Sequence, residues 1–163
     1  MLLASATQRL RDSGSASPRL DAELLLGYVL RTDRAGLLAH PNTALGPGQV
    51  RQFEEGVERR TKGEPVAYIR GIKEFYGFAF ASDNRALIPR PETEVLVDIA
   101  LARVSGKLVS SPRPAGSPPL LIADIGTGSG AVALSLALEC RRRRYEDHVR
   151  LVAYYRRNAE AVR

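Results

Sequence analysis

The sequence predicts an α/β chain made of a small helical bundle, a β-hairpin linker and the opening of a doubly wound parallel sheet. Three observations carry that expectation. Apolar residues recur at helical spacing through the first sixty residues; aromatics and glycines then take over in AYIRGIKEFYGFAFASD, from Ala67 to Asp83; and LIADIGTGSGA, residues 121–131, reads as a strand, a glycine loop and a helix start. With 163 residues, 44% hydrophobic and 26% charged, there is room for one ordinary domain, or for a small domain and part of another, around a core. The expected boundaries are 1–64 for the helical part, 65–84 for the linker and 85–163 for the sheet-forming part.

Ser17 followed by Pro18 is a cap and first-turn signal, and Leu20, Leu24, Leu25, Leu26, Tyr28, Val29 and Leu30 supply the apolar face of a helix from about Pro18 to Arg31. Asp33 is placed to cap a short helix through Leu37 and Leu38, which Pro41 ends. Val50, Phe53 and Val57 recur at i, i+3 and i+7 on a further helix that stops near Gly63 and Pro65. Three or four short helices in so short a stretch make a bundle that is marginal alone. Phe75, Tyr76, Phe78 and Phe80, punctuated by Gly71 and Gly77, suit a hairpin. Ile88 to Glu92 form a rigid extended turn, and Pro91 opens a helix with Val95, Leu96, Ile99 and Val104 on its apolar face. Ser105 to Pro119 holds four prolines, two glycines and four serines, and is expected to be a mobile loop.

Leu120 to Ala123 fits a buried parallel strand and Ala131 to Leu138 a helix. Between them Gly126, Gly128 and Gly130 let the backbone turn sharply and let a ligand lie against it, and a strand, a glycine loop and a helix N-terminus make a nucleotide site at the carboxyl end of a sheet. A tight turn with no ligand is the plain alternative. Gly126, Gly128 and Ala131 also satisfy the G-x-G-x-x-G/A fingerprint, so an NAD-type dinucleotide enzyme is a second reading. Asp124 speaks for a cationic nucleoside such as S-adenosylmethionine, because a carboxylate repels a pyrophosphate and binds ammonium or hydroxyl groups.

The net charge of +6 and the pI near 9.9 raise the question of nucleic acid, yet five of the six charges sit in the last 23 residues, with eight arginines against Glu146, Asp147 and Glu160. Arg141 to Arg144 suit a solvated helix end, and no direct sequence-specific nucleic-acid binding is expected. A lone cysteine, Cys140, makes neither an internal disulfide nor a metal site. No apolar run approaches the length of a membrane span, and MLLASATQRLRDSG turns polar too soon for a signal peptide, so a cytoplasmic protein is expected.

GEPVAYIRGIKEFYGFAF, LIPRPETEVLVDIAL and ADIGTGSGAVALSLAL, in that order, closely resemble the release-factor glutamine N5-methyltransferases, also called the HemK or PrmC family. The resemblance runs from about Asp21 to Leu138. It implies a class I, Rossmann-like enzyme that uses S-adenosylmethionine to methylate the glutamine of the GGQ loop in peptide chain release factors, with the helical domain helping to hold the release factor and the ribosome as a further candidate partner. By position, Asp124, Gly126, Thr127, Gly128, Ser129 and Gly130 line the methionine end of the cofactor, while Phe75, Arg90, Pro91, Glu92 and Thr93 lie in segments that pack over its pocket. Simple alternatives stand beside two of these: ordinary hairpin packing for Phe75, and a salt bridge between Arg90 and Glu92.

Two departures limit what the resemblance implies. The family's Asn-Pro-Pro-Tyr substrate motif does not occur in the 163 residues, and at the end of the expected strand Val149 to Ala153, where an acid should bind the ribose hydroxyls, stand Tyr154 and Tyr155. The following RRNAEAVR resembles the end of the family's next helix. The expectation is a C-terminally incomplete member, without catalytic residues and inactive by itself. A non-catalytic module that binds a release factor or the ribosome is an alternative from another class, and methylation of an amino group on DNA is a further one, which IPRPETE disfavours.

Overall fold

The helical spacing of the first seventy residues becomes five helices in the computed structural model, whose described residues are 2–110, 117–145 and 149–154. These are α1 (Leu2–Asp12), α2 (Pro18–Leu30), α3 (Arg34–Ala39), α4 (Pro47–Thr61) and α5 (Val66–Arg70). A hairpin of β1 (Ile72–Phe75) and β2 (Phe78–Ala81) follows, then a 3₁₀ turn at Pro91–Thr93, α6 (Glu94–Ser110), β3 (Leu120–Ile125), α7 (Ala131–Arg142) and β4 (Val149–Tyr154). The chain separates into two units, residues 1–72 and 73–163, each with its own core.

In the first unit Ala6 and Leu10 of α1, Ala22, Leu25, Leu26 and Val29 of α2, Phe53 and Val57 of α4 and Ile69 of α5 form the core. Asp33 caps α3 as its position predicts, accepting a hydrogen bond from the Gly36 N–H at 2.7 Å. Ser17 does not cap α2; its hydroxyl turns to Asp21 instead. α5 replaces the first part of the expected hairpin, because the Pro65 carbonyl accepts from the N–H groups of Tyr68 and Ile69 and Gly71, at φ +70°, closes the turn in a left-handed cap.

Two carboxylates are buried in this unit and both are paired. Asp21 accepts from the Arg60 guanidinium at 2.8 Å and from the hydroxyls of Ser15 at 2.7 Å and Ser17 at 3.1 Å, which ties α2 to α4. Glu23, only 5% exposed, accepts from Arg19 and Arg34, each at 2.8 Å. A buried carboxylate stripped of such partners costs several kcal/mol, on the order of 3–5.

The second unit is built on one parallel βαβ: β3 and β4 pair in parallel from Leu120 with Val149 to Ile125 with Tyr154, and α7 is the crossover between them. Phe75, Val97, Leu101, Val104, Ala131, Leu136, Cys140 and Val149 form its core. Burial of β3 is one-sided, since Leu121 and Ile125 are 70% and 79% exposed while Leu120 and Ile122 face the core. The expectation of a fully buried strand is corrected accordingly.

α6 corrects two more. It runs through Ser105 to Ser110, part of the expected loop, because one interior glycine, Gly106, costs only about 1 kcal/mol and the first proline is Pro112. It also begins after a 3₁₀ turn rather than at Pro91. Its buried stripe is Val97, Leu101 and Val104, leaving Val95, Leu96 and Ile99 exposed: a helix apolar on most sides offers several stripes, and packing chooses. No helix among the described residues is long and apolar enough to cross a membrane.

Burial pushes the Glu23 carboxyl up, but its hydrogen bonds to Arg34 and Arg19 outweigh that and hold it below the usual carboxylate range. A lowered folded value adds stability above the unfolded value, and that stability is lost as the pH falls through the folded one. Thermal melts followed by circular dichroism are therefore expected to show Glu23→Gln less stable than the parent at neutral pH, with the gap closing as the pH falls below the ordinary glutamate value of about 4.3. A gap independent of pH would contradict the ion-pair account.

Candidate functional site

β3 ends at Ile125 and α7 begins at Ala131, so the loop must reverse the chain in five residues, GTGSG. Gly126, Gly128 and Gly130 all adopt positive φ, at +82°, +56° and +82°, where a side chain is strained. A Cβ at Gly126 would meet nothing within 4 Å, so backbone strain, not crowding, calls for glycine there, and the space beside the backbone is open. The Gly130 N–H donates to the Thr127 carbonyl at 2.8 Å, and the Gly130 carbonyl accepts from the Leu134 N–H, starting α7.

Asp124 fastens the turn. Its Oδ2 accepts from the Thr127 hydroxyl at 2.9 Å and from the Ala133 N–H at 3.2 Å, so one carboxylate oxygen joins the strand end, the loop and the first turn of the helix. The negative charge also sits where the helix dipole is positive. Asp124, Gly126, Thr127, Gly128, Ser129 and Gly130 are thus brought together in one short structure at the carboxyl end of a parallel strand, where open α/β sheets place ligands. A separate groove of about 330 Å³ between α6 and Leu120 to Ala123 runs along β3 and away from that end.

The other expected residues lie outside the loop itself. Phe75 is 1% exposed in the core, its ring 6.5 Å from that of Phe80, which is the packing arrangement. Arg90 and Glu92 are exposed and form no ion pair with each other, so the alternative of a salt bridge between them is not met. The Arg90 carbonyl instead accepts from the Thr93 N–H at 3.0 Å and closes the 3₁₀ turn. Tyr154 ends β4 opposite Ile125; Tyr155 and RRNAEAVR lie outside the described residues. Arg141 and Arg142 form the last turn of α7, with Arg142 and Arg143 paired to Glu139, consistent with a helix end. Among the described residues no group of histidine, cysteine or acidic side chains is arranged to hold a metal, and burial pushes the Cys140 thiol up.

Glu94 and Asp98, which lie within LIPRPETEVLVDIAL but were not among the expected site residues, lock the hairpin to α6. Tyr76 and Gly77 form its two-residue turn, both at positive φ, +51° and +74°, and Tyr76 is a strained occupant. Its N–H donates to Glu94 at 2.8 Å and its hydroxyl to Asp98 at 2.6 Å; that hydrogen bond first, and then burial, push the phenol above its usual range. The available signal was two acids four residues apart, one helical turn, straight after the proline turn.

Residues 1–71 match the family model of the PrmC N-terminal domain. The chain is 48% identical, over 77% of its length and 42% of the relative's, to a protein of Coxiella burnetii named release factor glutamine methyltransferase. A protein of the same name from Salmonella typhimurium is 42% identical over 84% of the chain and 45% of the relative, and a bifunctional methyltransferase of Rickettsia felis is 37% identical over 85% of the chain and 29% of the relative. The chain therefore spans less than half the length of these relatives.

If one oxygen of Asp124 holds both Thr127 and Ala133, the effects of Asp124→Ala and Thr127→Val on unfolding free energy overlap. A double-mutant cycle in urea is expected to give a coupling of about 1 kcal/mol. Additive losses would place the strap elsewhere.

Proposed function

From the premise that the chain belongs to the release factor glutamine methyltransferase family, we propose that it serves the cytoplasmic methylation, dependent on S-adenosylmethionine, of the glutamine in the GGQ loop of peptide chain release factors. The observation that carries this reading is the glycine loop strapped by Asp124 at the carboxyl end of β3.

The residues present fit the cofactor. Beside Gly126 there is open space for a ligand against the backbone, and Asp124 sets a negative charge where a sulfonium nucleoside is favoured and a diphosphate is not. When bound, S-adenosylmethionine supplies an activated methyl group for in-line transfer to the glutamine amide nitrogen. Gly126, Gly128 and Gly130 keep the backbone accessible, and Asp124 with Thr127 fastens the loop, which lowers the ordering cost of binding. Phe75 supports this from within the core, and Arg90 and Thr93 form the turn that leads into α6. Extending β3 and β4 into a doubly wound, Rossmann-like sheet belongs to the same proposal, as does the division into a helical recognition domain, a hairpin linker and a cofactor domain.

The glutamine amide is a poor nucleophile whose orientation supplies much of the rate, and the Asn-Pro-Pro-Tyr run that orients it in this family is not among the 163 residues. The 163-residue chain is accordingly assigned cofactor and partner contacts, not turnover. A non-catalytic role in binding a release factor is the second reading, favoured by the match of residues 1–71 to a domain separate from the glycine loop.

Incubated with a purified bacterial release factor and labelled S-adenosylmethionine, the chain is expected to transfer no methyl group and to retain label only weakly. Any retained label is displaced by S-adenosylhomocysteine and not by NAD. Turnover, or displacement by NAD, contradicts the assignment.

A further inference from the structure

β3 is paired on one side only. Its six residues, Leu120–Ile125, meet β4 along one edge, and no strand among the described residues takes the other. Beside the strand runs the groove of about 330 Å³, lined by Leu120 to Ala123 and by Ala100, Arg103 and Val104 of α6. Successive residues of a strand point to opposite faces, so a groove lined by four in a row lies at the edge of the strand and not on one face of it. An open edge presents a row of backbone N–H and C=O groups, and the occupant that satisfies them is another strand.

The surface next to this edge is apolar. Leu121 and Ile125 stand on the outer face of the sheet, 70% and 79% exposed. On α6, Leu96 and Ile99 lie one turn before Ala100 and Arg103 and share the stripe that lines the groove; both are more than half exposed. An outer strand face and a helix stripe, both apolar and both beside one open edge, mark an interface.

The edge is complementary to itself. Two copies related by a two-fold axis perpendicular to the sheet pair their β3 strands antiparallel, and the alternation of faces allows only registers that keep outer residues opposite outer residues. Of these, the register centred on Ala123 sets Leu121 opposite Ile125 of the second copy, and Ile125 opposite its Leu121, so the two most exposed apolar residues of β3 cover each other. On the inner face it sets Asp124 of the second copy opposite Ile122, on the α6 side of the sheet, where Arg103 is exposed and makes no ion pair with any described residue. The same axis brings the two α6 stripes towards each other.

We propose that this chain forms a symmetric dimer through the open edge of β3, with a four-stranded sheet running across the two copies in the order β4-β3-β3-β4. A second copy is the occupant because one axis meets three requirements together: a strand for the edge, an apolar partner for Leu121 and Ile125, and a carboxylate on the side of Arg103. The contact uses the second unit alone and does not depend on the family reading.

Sedimentation velocity of the whole chain over a range of concentrations is expected to show an equilibrium between monomer and dimer. Leu121→Lys, at an exposed position, is expected to leave the thermal melt unchanged and to weaken dimerisation about tenfold or more. Ala123→Cys tests the register, because opposed Cα atoms of an antiparallel pair lie about 4.5–5.5 Å apart, within disulfide reach. Under a glutathione redox couple it is expected to give a covalent dimer, whereas the parent, whose Cys140 is buried, and Leu134→Cys on α7 are not. A chain that stays monomeric at every concentration overturns the proposal. So does a dimer that Leu121→Lys leaves intact, or that Ala123→Cys fails to cross-link, and each of these results leaves the family reading standing.

Discussion

One carboxylate oxygen sets the geometry on which the candidate site depends. A parallel strand followed closely by a helix needs a reversal tighter than most residues allow, and three left-handed glycines provide it. Glycines alone would also leave the loop free to adopt many shapes, since their freedom is greatest in the unfolded chain. Oδ2 of Asp124 removes that freedom by holding the Thr127 hydroxyl and the Ala133 N–H together. The result is a loop whose shape is set by the protein before any ligand is present, with a fixed negative charge beside it. The shape of the loop and the charge beside it thus come from the same side chain.

The first unit solves a different problem. A bundle of short helices has little apolar area to bury, and burial scales poorly at this size. It is held by Phe53, Leu10 and Leu25 at its centre, and in addition by buried carboxylates that cross between helices, Asp21 to Arg60 and Glu23 to Arg34. Such pairs add little net stability over apolar residues of the same shape, but they penalise any packing that leaves one of them unmatched. They therefore fix how α2 sits against α3 and α4.

What the linear sequence made legible follows from how local each signal is. LIADIGTGSGA was readable because apolar run, glycines and helix formers succeed one another within eleven residues, and the loop residues named from it do lie together. Asp33 was readable because a cap acts three residues away. Asp21 and Arg60 stand 39 positions apart, and nothing local marks the pair. α6 misled on its buried face, because its apolar residues surround the helix and only the core decides which turn inward. Ser105 to Ser110 misled because serine and glycine count as breakers only when packing is left out, and Val104 anchors that turn in the core. Glu94 and Asp98 escaped notice since their partner, a strained tyrosine in a hairpin turn, becomes visible only once the turn is folded.

The central claim is that the loop fastened by Asp124 is shaped for a sulfonium nucleoside. Its most direct test is a nitrogen–proton NMR spectrum of the labelled chain during addition of S-adenosylmethionine, and separately of NAD, up to concentrations where weak binding registers. The account predicts that the amides from Gly126 to Ala131 shift with S-adenosylmethionine, that they stay in place with NAD, and that Asp124→Ala abolishes the response. Loop amides that move with NAD, or shifts confined to other parts of the chain, would contradict it.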